Sequence, residues 1–176
     1  MVEKNNQQVQ PGKDICLTPR VEVYKDDICY TNLYDLPATV ATKDENGIIE
    51  LLANVALKNV DREVVVETAS AFKIGYTCYE NEMNIKVTTE QNIATPTAFV
   101  LPIISPNNEV ITTVSDTEIT IQKPEGLVTI KSNSSIKTKE IVGKRTFNMV
   151  PGTEAIPLEV FFEKDSNELE LTISVS

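Results

Sequence analysis

Apolar residues in this chain recur at every second position, a period that fits an extended strand and not a helix. Phe72, Ile74, Tyr76 and Cys78 alternate with Lys73, Gly75, Thr77 and Tyr79. Glu80, Asn81 and Glu82 turn the chain, and Met83, Ile85 and Val87 then alternate with Asn84, Lys86 and Thr88. Successive side chains of a strand point to opposite faces, so this reads as an antiparallel hairpin with one buried and one wet face. The period returns near the end. Ile156, Leu158, Val160 and Phe162 alternate with Pro157, Glu159, Phe161 and Glu163. After a turn at residues 164–167, Leu169, Leu171, Ile173 and Val175 alternate with Glu168, Glu170, Thr172 and Ser174.

The remaining segments obey the same rule with local exceptions. Val21 with Val23, and Ile28 with Tyr30, mark two short strands around an Asp26-Asp27 turn. Residues 48–60 fit both periods. Ile48, Leu51, Leu52, Val55 and Ala56 would line a helix, whereas Ile49, Leu51, Ala53, Val55 and Leu57 would line a strand. The strand is chosen, because a turn at residues 59–62 and the β-branched run 64–66 follow. Residues 99–104 form an apolar run holding Pro102, which cannot donate to a ladder, so an edge strand or a bulge is expected there. Short strands follow at 110–114, 119–121 and 128–130, the last two joined by a Lys123-Pro124-Glu125-Gly126 turn. Strands at this spacing predict an all-β, two-sheet antiparallel β-sandwich of about a dozen strands over residues 14–176. Residues 1–13 are polar, rich in Gln and Asn, and read as a disordered leader or linker.

The composition excludes several function classes. The 176 residues contain no histidine, which removes Ser-His-Asp and Cys-His catalysis in their usual forms and most zinc sites. Sixteen Lys and Arg against 26 Asp and Glu leave a net charge of -10. Phosphate binding needs clustered cations, so no nucleic-acid partner is expected, nor an anionic membrane surface. No apolar run is long enough to span a bilayer, so no membrane insertion is expected, and the first residues lack the apolar stretch of a signal peptide. Cys16, Cys29 and Cys78 show no CxxC spacing. Three reduced thiols are the reading taken, one bridge with a free thiol being the other. No phosphate loop, nucleotide fingerprint or nucleophile elbow occurs, and no cofactor is expected.

The remaining candidates each have a plain competitor. Residues 44–47 and 165–168 are oxygen-rich, but neither has the spaced acid pattern of a calcium loop, and they read as solvated turns. A carboxylate pair for glycoside hydrolysis would need a cleft and an acid in an apolar setting, and none stands out. Tyr30, Tyr34 and Tyr79 are the candidate ligand-binding residues, able to stack on a sugar ring or a partner surface. Tyr24 and Tyr76 lie close to them in sequence, and packing at the core or at a sheet edge is the competing reading for all five. Asn133-Ser134-Ser135 matches an N-glycosylation sequon, which counts only in a eukaryotic secretory pathway.

Two segments carry a family resemblance. Residues 83–105 hold an apolar strand with an embedded Leu101-Pro102, and residues 147–174 hold Phe147-x-x-Val150-Pro151-Gly152 before a final hairpin. In this pattern they resemble the carboxy-terminal β-sandwich of the heparinase II/III-like polysaccharide lyases. In that family the catalytic groups lie mainly in a preceding helical toroid and include His and Tyr. With no helical half and no His, this chain inherits no catalytic residue. The resemblance implies a non-catalytic accessory module of a bacterial polysaccharide-processing enzyme, supporting the catalytic domain or positioning a glycan. Its implied partners are a catalytic domain, in the same or a partner chain, and a glycan. Its implied location is periplasmic or extracellular. The alternative is a stand-alone secreted or surface protein that binds carbohydrate or adheres through its edge strands.

Overall fold

The structure is a computed structural model that describes residues 18–65, 70–93, 95–106, 109–138 and 153–176. Residues 1–13, Cys16 and the Phe147–Gly152 motif lie outside them. The described residues form the strands β1 (Arg20–Lys25), β2 (Ile28–Thr31), β3 (Thr39–Glu45), β4 (Ile48–Ala56), β5 (Ala71–Cys78), β6 (Glu82–Thr88) and β7 (Thr97–Pro106). They continue with β8 (Ile111–Ser115), β9 (Glu118–Lys123), β10 (Gly126–Ser132), β11 (Ile136–Thr138), β12 (Thr153–Phe161) and β13 (Glu168–Val175). One 3-10 turn, Asn32–Tyr34, interrupts them. Five strands form one sheet in the order β11-β12-β7-β1-β2. Eight form the other in the order β3-β4-β5-β6-β13-β10-β9-β8. The pairs are antiparallel, so the expected two-sheet architecture holds.

Local chemistry sets the hairpins. Asp26 and Asp27 both have positive φ (52° and 62°), the two-residue turn whose twist matches the flanking strands. Asn46 and Gly47 repeat it at 54° and 78° between β3 and β4. The expectation of a solvated loop at residues 44–47 is corrected here, because Asp44 and Glu45 belong to β3 and only Asn46-Gly47 turns. Nothing lies within 4 Å of the place where a Cβ at Gly47 would stand, so only backbone conformation opposes a side chain there. Gly47→Val should cost about 1–2 kcal/mol, seen as a lower denaturation midpoint at unchanged m-value.

Residues 48–56 are strand, as chosen. Val64, by contrast, makes only an isolated bridge to Lys58. Pro102 needs a correction of detail. Its strand, β7, is interior, lying between β12 and β1. However, β1 pairs only with residues 97–100 of β7, so Pro102 sits where that neighbour has run out. On the other side it faces Pro157, and β11 pairs β12 only from Leu158 onward. Among the described residues, each proline ring thus faces a side with no strand partner, where no ladder donor is needed. The last two strands are not the hairpin that the sequence pattern implied. β12 lies in the small sheet and β13 in the large one, so the turn at residues 164–167 is a crossover between layers.

Inward-facing residues of both sheets make one core. Val21, Val23, Phe99, Leu101, Leu158 and Val160 meet Phe72, Ile85, Val87, Ile119, Ile130 and Leu169, all buried. The rings of Phe72 and Phe162 meet edge to face at a centroid distance of 6.0 Å. Two corners stitch the layers. At the first, Thr31 and Lys58 exchange backbone hydrogen bonds of 2.9 and 3.0 Å. At the second, residues 132–136 pass from β10 to β11. There the Glu170 N–H donates to Asn133 Oδ1 (2.9 Å), and the buried Ser134 hydroxyl reaches the Phe161 carbonyl and the Glu163 carboxylate. The sequon residues therefore build a fold corner. Ser134→Val should lower stability by about 1–3 kcal/mol, read as a drop in melting temperature, because it removes the buried hydroxyl that bonds the Phe161 carbonyl.

Candidate functional site

The layers differ in width, and this places the exposed surface. Five strands cannot cover eight, and among the described residues the large sheet is left exposed at both edges, at β8 and over the wider span of β3 and β4. The register puts Val40, Thr42 and Asp44 of β3, and Ile49, Leu51, Ala53 and Val55 of β4, on the inward face. Of these only Val55 is buried, while Val40 and Ile49 are 64% and 44% exposed. Tyr76 and Met83 continue the same face, partly buried against the core. On the outward face of the large sheet, a hollow of about 330 Å³ lies where Gly75 has no side chain, between Leu52, Thr77 and Lys43. A second hollow, of about 420 Å³, is lined by Asn54, Lys73, Thr88 and Glu90.

The three candidate tyrosines do not form one site. Tyr30 pairs with Val23 and packs against the core. Tyr24 pairs with Cys29, one position further along, and so points to the opposite face. Burial, then the neighbouring Glu22, pushes the Tyr24 phenol well above its ordinary range. Tyr34 sits half-buried in the 3-10 turn. Tyr79 is exposed in the β5–β6 turn, beyond Cys78, which pairs with Ile49. Tyr34 adjoins Asp35, which bonds Ala56 at the far end of β4. At about 3.3 Å per residue, Tyr79 and Tyr34 lie roughly 20 Å apart along that strand.

The carboxylates with resolved shifts, Glu109 and Glu170, titrate below the ordinary range. Burial opposes ionisation of Glu109, but hydrogen bonds from Lys123 and Ser105 outweigh it. A carboxylate kept charged in this way is a structural anchor and not a general acid. Its depressed pKa contributes stability that is fully present above the unfolded-state value and is lost as pH falls through the folded one. Glu109→Gln should therefore lose less stability than the parent on acidification from about pH 5 downward, measured by denaturant titration at several pH values. No group of three His, Cys, Asp or Glu residues able to hold a metal occurs among the described residues. Among them, too, no helix is long and apolar enough to cross a membrane.

Sequence reasoning missed Asp35, whose side chain ties the first corner together. Its Oδ2 accepts from the Ala56 N–H (2.7 Å) and its Oδ1 from Lys58 Nζ (2.7 Å). It missed the buried Arg20–Glu22 pair as well, two charged residues on the outward face of β1. Asn46-Gly47 was a legible signal for the projecting β3–β4 hairpin.

Known proteins resemble this arrangement in two ways. By structure, the chain is similar to a heparinase III with methylated lysines (TM-score 0.55, 8% identity, covering 79% of this chain and 21% of that one). It is also similar to a heparan sulfate lyase mutant from Pedobacter heparinus (TM-score 0.54, 8% identity, 78% and 21% covered). At that identity the likeness shows the fold alone, and it agrees with the resemblance read from residues 83–105 and 147–174. By sequence, the chain is 54% identical over 175 residues to a broad-specificity ulvan lyase of Formosa agariphila. The match covers 99% of this chain and 27% of that relative's length. A family description matches from residue 1 to residue 176. By that full-length match, the chain belongs to the ulvan lyase C-terminal domain family.

Proposed function

We propose that this chain is a non-catalytic accessory sandwich of a bacterial polysaccharide lyase of the ulvan lyase type, and that it supports the catalytic part of the enzyme. One observation carries the reading. The chain matches a domain family from end to end yet spans only 27% of its ulvan lyase relative, which leaves roughly three quarters of that enzyme to hold the chemistry. A lyase must remove a proton beside a carboxyl group and protonate the leaving oxygen, which calls for positioned acid and base groups. This chain has no His, and the corner and cluster carboxylates serve the fold. A net charge of -10 favours support of a partner domain over positioning of a polyanionic glycan, which it would repel. The resemblance favours a periplasmic or extracellular enzyme. In an unsaturated-product assay with ulvan, the isolated chain should release nothing, and steady product formation by the chain alone would sink the proposal.

The two hollows over Gly75 and beside Lys73 favour a second reading, a carbohydrate-binding module. Their amide, hydroxyl and lysine lining offers hydrogen bonds to a sugar, and Tyr76 lines the first and the buried Phe72 the second. Retardation of the isolated chain in an ulvan-containing native gel, lost in Lys73→Ala, would favour that reading over the first.

A further inference from the structure

We infer that the uncovered inward face of the β3–β4 hairpin is the surface on which the catalytic part of the enzyme docks. The inference rests on the accessory reading above and names its contact surface. A sheet is stable when its apolar face meets a second layer. Among the described residues the second layer stops short of β3 and β4, yet the apolar row runs on along β4 and reaches Val40 of β3 before Thr42 and Asp44 end it. Val40, Ile49 and Leu51 extend the core-facing row, with Tyr76 and Met83 joining it to the buried centre. The β4 part of the row has the apolar pattern of a buried strand, and it continues an established interface, the one between the two sheets. Leu52, 43% exposed on the other side of the hairpin, extends the apolar surface around the β3 edge.

The occupant follows from chemistry and chain length. The exposed apolar members of the strip, Val40 and Ile49, are aliphatic and offer a sugar neither hydrogen bonds nor a stacking plane, so a glycan is disfavoured. Asp44, Glu45, Glu80 and Glu82 stand around the strip, and Lys43 is already paired with Glu45 at 2.9 Å. A second copy would bring an identical acidic rim and a further net charge of -10, so self-association is opposed. The fitting partner has an apolar centre and a basic rim. A covalently attached domain meets the face at high effective concentration, so a small apolar strip suffices. The 27% span within the ulvan lyase relative supplies a domain of that kind.

Hydrogen exchange tests this with unmodified protein, comparing the isolated chain with the full-length enzyme that contains it. The β3 amides that face away from β4 have no strand neighbour among the described residues. They should exchange rapidly in the isolated chain and at least about tenfold more slowly in the full enzyme, together with those around Ile49. Val40→Glu combined with Ile49→Glu should abolish that slowing while leaving the melting temperature of the isolated chain unchanged. Protection of some other face, with β3 unaffected, would overturn the surface but keep the accessory reading. Identical exchange in the two forms would overturn both. An isolated chain that elutes at twice 19.5 kDa, and as a monomer after the double substitution, would assign the face to a second copy instead.

Discussion

Leu171→Asp is expected to leave the chain unfolded at physiological temperature, while Glu170→Lys, one position earlier, should move the melting temperature by only a few degrees. Leu171 is 2% exposed and lies across from Ile85 on β6 and Ser132 on β10. Among the described residues, β13 is the strand that links the hairpins β3–β6 to the group β8–β10 in the large sheet. Losing the leucine side chain costs about 2–5 kcal/mol, and burying a carboxylate without a partner adds several more. Together these approach the whole stability of an ordinary domain, about 5–15 kcal/mol. Glu170 faces outward and holds Lys86 at 2.9 Å with both side chains about half exposed, an arrangement that solvent screens and that contributes little. Glu168 remains to pair with Lys86 when Glu170 is lost. Circular dichroism melts of the two variants check the register, and equal melting temperatures would show that the assigned inward face of β13 is wrong.

The fold was legible wherever one strand face is buried and the other wet, because burial enforces the two-residue period. The β5–β6 hairpin and β13 are of that kind. Legibility failed where that condition lapsed. β3 is exposed along its whole length, so Val40, Thr42 and Asp44 carry no in-and-out contrast, and only Asn46-Gly47 could have revealed the strand. β11 has three residues, too few to show a period. The crossover between β12 and β13 was hidden because alternation reports which face of a strand is buried, not which sheet the strand joins. Pro102 was read correctly as lacking a ladder partner on one side. The inference to an edge strand failed because β1 covers only part of a longer β7.

The candidate site was less legible, for a related reason. Tyr24 and Tyr30 are close in sequence but point to opposite faces across a two-residue turn, and Tyr79 belongs to the far end of the other sheet. Sequence proximity carries aromatic clusters into space only along one strand face. The strip at Val40 and Ile49 could not be seen in advance, because an aliphatic residue in a strand reads as core. Its exposure is a consequence of unequal sheet widths, which no local pattern encodes. The family resemblance agrees with the fold that the chain shares with two lyase structures at 8% identity.

Asp35→Ala should be strongly damaging although Asp35 lies outside the hydrophobic core, at about 2–4 kcal/mol. Asp35 follows the 3-10 turn that carries the chain from the small sheet to the large one, and its side chain is 6% exposed. One carboxylate oxygen takes the Ala56 N–H where β4 ends, and the other takes Lys58, whose side chain is 17% exposed. Alanine would strand a backbone donor and leave a nearly buried ammonium without its counter-charge, the two most costly ways of breaking a polar network. For a chain of this length each kcal/mol moves the melting temperature by about 2–4 °C, so a fall of roughly 5–15 °C is expected. Asp35→Asn should lose only part of this, because its carbonyl can still accept from Ala56. Adding Lys58→Met to Asp35→Ala should recover stability, since it removes the stranded charge and keeps an apolar stem of similar length. A purely steric role for Asp35 predicts the reverse order, with the double variant less stable than either single one. Recovery would establish that the corner between the sheets is held by charge, at a residue that the strand period passes over.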